Sequence, residues 1–360
     1  NALHTFRLTS NDVMNHRKEP LEAEFFRDIR AVAEAIQVIY HTPIPKELTE
    51  ILPVQMPKYS MKREKNVLER RIRVSFEYAD AEFLYVTPID EVSDEYWKIR
   101  YNQLGVNDEF TEGIKDYWRH AQLNLLDVKR NEDGTYTPSF IVLEPDYLVD
   151  ISALAECYRE YGSHPVNYIM SRLVPIDNAR PLLLGNIANL FLDEWIYASE
   201  EEPEYLDCMK KVFKRYPVEL AACEELLDKE KETAFFKDCQ MHFEHIRQTV
   251  KDTFLEPGYN LDKSDAVLEP SYICEALGVQ GRLDYMQRDM SSFIEMKSGK
   301  ADEYAMKGKL EPKENNRVQM LLYMAVLEYS MGIDRRKQHP YLLYTRYPLL
   351  YPAQASWAQV

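Results

Sequence analysis

The chain has 360 residues, 45% of them apolar, and a formal net charge of −16. That length supports two or three domains with real cores. The acidity argues against a non-specific nucleic-acid coat, which draws its affinity from cations on phosphates, but it leaves room for a basic channel in one cleft.

No run of 18 apolar residues occurs, so no membrane partner is expected, and no basic-then-apolar signal segment opens the sequence. Asn1-Ala2 reads as the remnant of a cleaved tag, and the chain is then expected to be a piece of a longer protein. Cys157, Cys208, Cys223, Cys239 and Cys274 are odd in number, widely spaced and without a Cys-x-x-Cys. That usage points to a reducing, cytoplasmic setting and away from disulfides or structural zinc.

In chain order, Leu21 to Tyr40 carries a helical apolar pattern, and Met61 to Arg73 is basic. The basic stretch has two readings, a solvated face or a phosphate-contacting patch. Ile72 to Thr87 and Ala121 to Val149 look like β-structure, the second folded at the turn Asn131-Glu132-Asp133-Gly134, with a short helix over Asp108–Arg119. Residues 1–70 are therefore expected to be a mixed helical region, and 71–150 a small β-rich, barrel-like module.

From Ile151 the character changes. Helices are expected over Leu154–Tyr161, Leu182–Ala198, Tyr205–Arg215 and Val218–Asp252, then strands over Gly281–Met286 and Phe293–Lys297, then a helix over Asn316–Tyr329 closed by Gly332 and Asp334. This order suits an α/β domain with a central mixed sheet flanked by helices over 151–336. Tyr341–Tyr344 reads as a strand, and 337–360 as the start of a further module.

The segment that carries chemistry is Gly281 to Lys300. On a strand, Phe293, Glu295 and Lys297 share one face, while Ile294 and Met296 enter a core on the other. If the two strands form a hairpin around a polar loop, Gln287 to Ser292, Asp284 approaches Glu295. Two carboxylates and the Met296 carbonyl make a hard-oxygen site suited to Mg or Mn. Lys297 beside them can hold a water and stabilise charge on a phosphate. An acid-x-Lys pattern is weak by itself, since Asp127-Val128-Lys129, with Asp116 upstream, offers it too. What separates the two is the following helix, where Gln319 and Tyr323 lie one turn apart on one face.

Jointly, Gly281-Arg282-Leu283-Asp284, Glu295-Met296-Lys297-Ser298-Gly299-Lys300 and Gln319-x-x-x-Tyr323 resemble the RecB-type branch of the PD-(D/E)XK nucleases. Glu144 to Val149 followed by Cys157-Tyr158-Arg159 is similar to the entry of the nuclease domain in flap-trimming replication helicase–nucleases, where a β-barrel comes first. The resemblance covers roughly 140–330 well and 70–140 loosely. It implies a restriction-endonuclease-like core and a metal-dependent deoxyribonuclease acting on single-stranded or flap DNA, with a helicase module in the full-length chain. Asp284 and Glu295 would bind metal, Lys297 would assist the attacking water, and Gln319, Tyr323, Arg282 and Lys300 would position nucleic acid. Gly281 would allow a close approach before Asp284.

Three positions depart from that pattern. The helix Leu182–Trp195 matches the family's first motif, but Asn189 stands four residues after Gly185 where a His ligand is usual, leaving Asn189 as the metal ligand there. Asn316 stands where a second His is common. Many relatives hold an iron–sulfur cluster on one upstream and three downstream cysteines; Cys157 occupies the upstream place, no Cys follows Cys274, and no cluster is expected. The rival reading is a catalytically weak or inactive nuclease-fold module that binds DNA or scaffolds a helicase. A site-specific restriction enzyme is a third, for which Gln-x-x-x-Tyr is no hallmark. No phosphate-loop motif occurs, and His242 and His245, three apart, read as packing or surface residues.

Overall fold

The computed structural model describes residues 22–52, 68–90, 93, 95–159, 162–173, 180–198, 201–259, 261–303 and 310–353. Asn1-Ala2 and the 61–67 part of the basic stretch lie outside them. The chain divides into two compact units, Asn1–Leu143 and Glu144–Val360.

Among the described residues of the first unit, α1 (Glu22–Tyr40) and α2 (Lys46–Ile51) precede six strands. These are β1 (Leu68–Ala79), β2 (Phe83–Pro88), β3 (Trp97–Arg100), β4 (Gln122–Arg130), β5 (Tyr136–Thr137) and β6 (Phe140–Leu143). The order β1-β2-β3-β5-β4 closes on itself through β1–β4 pairing, giving a small five-stranded barrel, with β6 added beside β4. Alternation explains the closure: Ile72, Val74 and Phe76 of β1, Leu84 and Val86 of β2, Ile99 of β3 and Leu123 and Leu125 of β4 fill one interior. The expected helix over Asp108–Arg119 is shorter, a 3-10 turn at Asp108–Phe110 running into α3 (Thr111–Ile114).

The second unit begins earlier than the sequence suggests. Val149 and Asp150 form β7, paired parallel with Val279 and Gln280 of β10, so they belong to this unit and not to the barrel. Next come α4 (Ile151–Ala155), α5 (Val166–Leu173), α6 (Arg180–Tyr197), α7 (Tyr205–Arg215), α8 (Pro217–Ala222) and α9 (Lys229–Lys251). The single helix expected over Val218–Asp252 is interrupted because Asp228 caps α9, its carboxylate accepting from the Glu230 and Lys231 N–H groups. Then follow β8 (Ala266–Leu268), β9 (Ser271–Cys274), β10 (Val279–Arg282), β11 (Tyr285–Gln287), β12 (Ser292–Lys297), β13 (Asp302–Glu303), β14 (Leu310–Glu311), α10 (Glu314–Val326), β15 (His339–Tyr344) and β16 (Leu349–Pro352).

The main sheet has the order β16-β15-β12-β11-β8, parallel only between β12 and β15, so it is mixed. The strand at Tyr341 is therefore β12's neighbour in this sheet and not part of a further module. β12 is central, and both its faces are buried. Ile294 and Met296 pack with α6, α7 and α9, among Phe191, Trp195 and Phe243. Phe293 packs on the opposite face with Met320, Tyr323 and Met324 of α10. Removing a phenylalanine of this kind from water is worth on the order of 2–3 kcal/mol, which fixes the register that puts Glu295 and Lys297 on the α10 side. A one-residue slip would invert both faces.

His242 and His245 of α9 are both packing residues. Their Nδ1 atoms lie 2.9 Å from Thr345 Oγ1 and 3.0 Å from the Thr345 carbonyl, pinning α9 to the end of β15. All five cysteines carry free thiols, and Cys157 is half-buried where the other four are buried. Among the described residues, no helix is long and apolar enough to cross a membrane.

A candidate metal centre on the central strand

Asp284 sits at a break in the chain. The expected strand over Gly281–Met286 is two strands: β10 pairs with β7 and β9, and β11 with β12 and β8. Leu283 and Asp284 cross between the two sheets. Their backbone is clamped to the loop before β9, the Leu283 N–H donating to the Pro270 carbonyl and the Asp284 carbonyl accepting from the Glu269 N–H, each at 3.1 Å. Gln287 and Ser292, expected in the polar loop, are buried strand ends. The loop proper spans 288–291.

β11 pairs with β12 only as far as Tyr285 opposite Ile294. Beyond that point the β11 side of β12 is open, and Asp284 fills it, Oδ2 accepting from the Met296 N–H at 2.6 Å. Peptide groups alternate sides along a strand. The Lys297 carbonyl accepts from Thr345 on the β15 side, so the Met296 carbonyl is directed to the side where Asp284 lies.

Glu295 is 6% exposed. Its Oε1 accepts from Lys297 Nζ at 2.9 Å and Gln319 Nε2 at 2.7 Å. Gln319 Oε1 accepts from Lys297 Nζ at 2.8 Å, closing a three-membered ring of polar groups, and Gln319 Nε2 also reaches Ser152 Oγ at 3.1 Å. Burial presses the Asp284 carboxyl well above the ordinary carboxylate range, and the Glu295 charge adds to this; the Met296 N–H and Lys297 oppose both. For Lys297, burial works against the charge, but the charge of Glu295 and its hydrogen bond outweigh that, holding the ammonium above the usual lysine value.

The residues present fit a divalent cation. Glu295 Oε2 is buried and has no hydrogen-bond partner, a costly state for a carboxylate oxygen unless a cation faces it. It is joined by the Asp284 carboxylate and the Met296 carbonyl, a hard-oxygen donor set. Among the described residues there is no group of three His, Cys, Asp or Glu side chains placed to hold a metal ion. Any site here thus depends on two carboxylates, the carbonyl and a neutral ligand. Asn189 is the candidate for the last. Its Oδ1 is buried and unpartnered, and it lies one turn after Gly185, whose absent side chain leaves room for Ser298 Oγ at 3.4 Å from an ideal Cβ. That face of α6 therefore runs past the end of β12.

The expected nucleic-acid contacts divide. Arg282 and Lys300 are exposed, Arg282 Nη1 lying 3.3 Å from Glu269 Oε2. Tyr323 is fully buried and donates its hydroxyl to the Arg282 carbonyl at 2.7 Å, and Gln319 is committed to Glu295, Lys297 and Ser152. In this structure both side chains are buried and bonded to the elements around β12. Gly281 has the close approach expected of it: a Cβ there would meet Ile151 Cδ1 and the Tyr323 hydroxyl at 2.9 Å. Asn316 is buried and bonds the Tyr344 hydroxyl at 2.8 Å. The decoy Asp127-Val128-Lys129 lies on β4 of the barrel, with Asp127 in left-handed backbone.

Three nearby residues escaped the sequence reading. Ser152 becomes relevant only when α4 docks on α10. Glu269 and Asp193 lie close enough for charge coupling: burial raises the Asp193 carboxyl to about 6, and Glu269 adds to it. Gly185, Asn189 and Asp193 recur every four residues, so helical spacing could have exposed that stripe. No family model matches the chain, and no curated protein sequence matches it significantly.

Proposed function

We propose that the second unit is a metal-dependent deoxyribonuclease with a restriction-endonuclease-like core, hydrolysing phosphodiester bonds in single-stranded or flap DNA as the nuclease part of a helicase–nuclease. The observation that carries this reading is the convergence of Asp284, the Met296 backbone, Glu295, Lys297 and Gln319 around the C-terminal end of β12, with Glu295 Oε2 left unpartnered.

Asp284, Glu295 and the Met296 carbonyl would hold Mg or Mn, with Asn189 as a weaker fourth donor. Such an ion supplies Lewis-acid polarisation of a phosphate oxygen and lowers the pKa of water. The chain's own residues do the rest. Lys297 stays protonated, so it acts as a donor and not as a base. Two of its three N–H bonds go to Glu295 and Gln319, and the third can orient the attacking water or meet charge developing on phosphate. Gln319 holds Lys297 and Glu295 in one geometry, and Tyr323 holds the Arg282 carbonyl two residues before Asp284.

The test uses end-labelled single-stranded and flap DNA with Mg or Mn. Wild-type chain is expected to cleave, and Asp284→Ala and Lys297→Ala to lose on the order of a thousandfold. Cleavage that survives Lys297→Ala sinks the site assignment. A second reading, a catalytically weak or inactive DNA-binding or scaffolding module, draws on the neutral Asn189 and on the lack, among the described residues, of a third His, Cys, Asp or Glu ligand. DNA binding that needs no metal, together with no calorimetric Mn binding, favours that reading.

A further inference from the structure

The outer face of β1–β3 carries an array of rings and cations that plays no part in the metal centre. Along β1, Ile72, Val74 and Phe76 point inward, and simple alternation would turn Tyr78 inward as well. A bulge between Phe76 and Tyr78 shifts the register, sets Tyr78 opposite Tyr85, and leaves it 48% exposed. Bulges that re-aim one side chain are concentrated beside functional surfaces. The Tyr78 and Tyr85 rings stack with centroids 4.3 Å apart and planes 13° apart, and Tyr96, 46% exposed, meets Tyr78 edge-on at 5.9 Å. On β3, Lys98 is opposite Tyr85 and Arg100 opposite Phe83. Lys98 Nζ lies 5.8 Å and 5.9 Å from the Phe83 and Tyr85 ring centres, and the Arg100 guanidinium 5.0 Å from that of Phe83.

Acidic neighbours hold this array in place. Asp80 Oδ2 accepts the Tyr85 hydroxyl at 2.9 Å, and Arg100 is fixed between Glu82 and Asp133. We propose that this face binds single-stranded nucleic acid, its bases extending the Tyr78–Tyr85 stack and packing on Phe83, its phosphates following Lys98 and Arg100. Rings interleaved with cations are what an unpaired strand requires, since every base has a face to stack and every linkage a charge. A duplex hides its base faces. A prolyl ring finds no slot between two tyrosines already stacked face to face.

The proposal stands apart from the metal centre, and so does its test: fluorescence anisotropy of the whole chain with a labelled oligothymidylate of about 15 nucleotides, in chelator. Tyr78→Ala and Tyr85→Ala are each expected to weaken binding roughly tenfold while the chain stays folded at the assay temperature, with only the small drop in thermal unfolding that loss of a cross-strand ring pair brings. Tyr78→Trp is expected to retain affinity, and Lys98→Ala to lower the salt slope by about one. Asp284→Ala should still bind, so a chain that cleaves nothing can still show this site. Wild-type affinity in Tyr78→Ala, or a duplex that competes as well as the single strand, overturns the proposal.

Discussion

Gln319 Nε2 donates to Glu295 Oε1 at 2.7 Å while Gln319 Oε1 accepts from Lys297 Nζ at 2.8 Å, so one amide fixes both partners of an ion pair. Gln319→Ala removes both bonds inside a buried site. It is expected to cost about 1–3 kcal/mol of stability, read from the urea midpoint. Under the nuclease reading it should also lower the cleavage rate without abolishing it, since Lys297 and Glu295 remain. Gln319→Glu is expected to be worse, because it sets a second carboxylate against the buried Glu295 carboxylate where an amide N–H had donated.

Gly281 is required by packing and not by turn geometry. A methyl there meets Ile151 Cδ1 and the Tyr323 hydroxyl at 2.9 Å and Tyr323 Cε1 at 3.0 Å. Gly281→Ala is expected to destabilise by about 1–3 kcal/mol. Tyr323→Phe in the same chain removes one clashing atom and also the bond to the Arg282 carbonyl. The pair should therefore be non-additive in a denaturation double-mutant cycle. Additivity would mean that the two side chains are not in contact.

Asp284 gives the apo protein a pH dependence whose sign follows from its raised pKa. The folded state keeps a proton that the unfolded chain has already lost. This group's contribution to stability is thus greatest in acid and declines as pH rises from the ordinary carboxylate range through the raised value. Asp284→Asn should gain in melting temperature relative to wild type as pH increases, in chelator. Wild-type binding of Mn should release a proton, seen as a calorimetric heat that varies with the buffer's ionisation enthalpy.

His242 works in the opposite direction. It is 1% exposed, and burial lowers its pKa to about 4. An unfolded histidine titrates near 6.5. The stability it permits is therefore fully present above about 6.5 and lost as pH falls towards 4, because the unfolded chain binds the proton first. His242→Gln is expected to flatten the melting-temperature profile across that window. The Thr345 contacts identify the element that releases: α9 from the end of β15.

Periodicity carries some of this structure and not the rest. The alternation at Phe293–Lys297 and the four-residue step from Gln319 to Tyr323 both reach the observed faces, because each depends on local geometry. The break at Asp284 was illegible. It arises from β10 and β11 pairing with different partners, and a strand's partners are not written in its own residues. The intramolecular bonds of Gln319 and Tyr323 are illegible for the same reason: only the docked helix shows their polar atoms joined to Glu295, Lys297 and the Arg282 carbonyl. Asp228 was a readable N-cap before a helical run, and its signal was lost inside a longer apolar pattern.

Asn189 offers the sharpest test of how α6 relates to the proposed metal centre. Its Oδ1 is buried without a partner, and Gly185, one turn earlier, faces Ser298 just beyond Lys297. An amide oxygen is a weak neutral ligand, whereas an imidazole suits Mn better than Mg. If this face of α6 completes the site, Asn189→His should tighten Mn binding about tenfold and change Mg binding little, both measured by titration calorimetry. Asn189→Leu should weaken both metals while stabilising the apo chain, since it removes an unsatisfied buried oxygen. Mn affinity unchanged in both variants would place Asn189 outside the coordination sphere and leave Asp284, Glu295 and the Met296 carbonyl as the whole donor set.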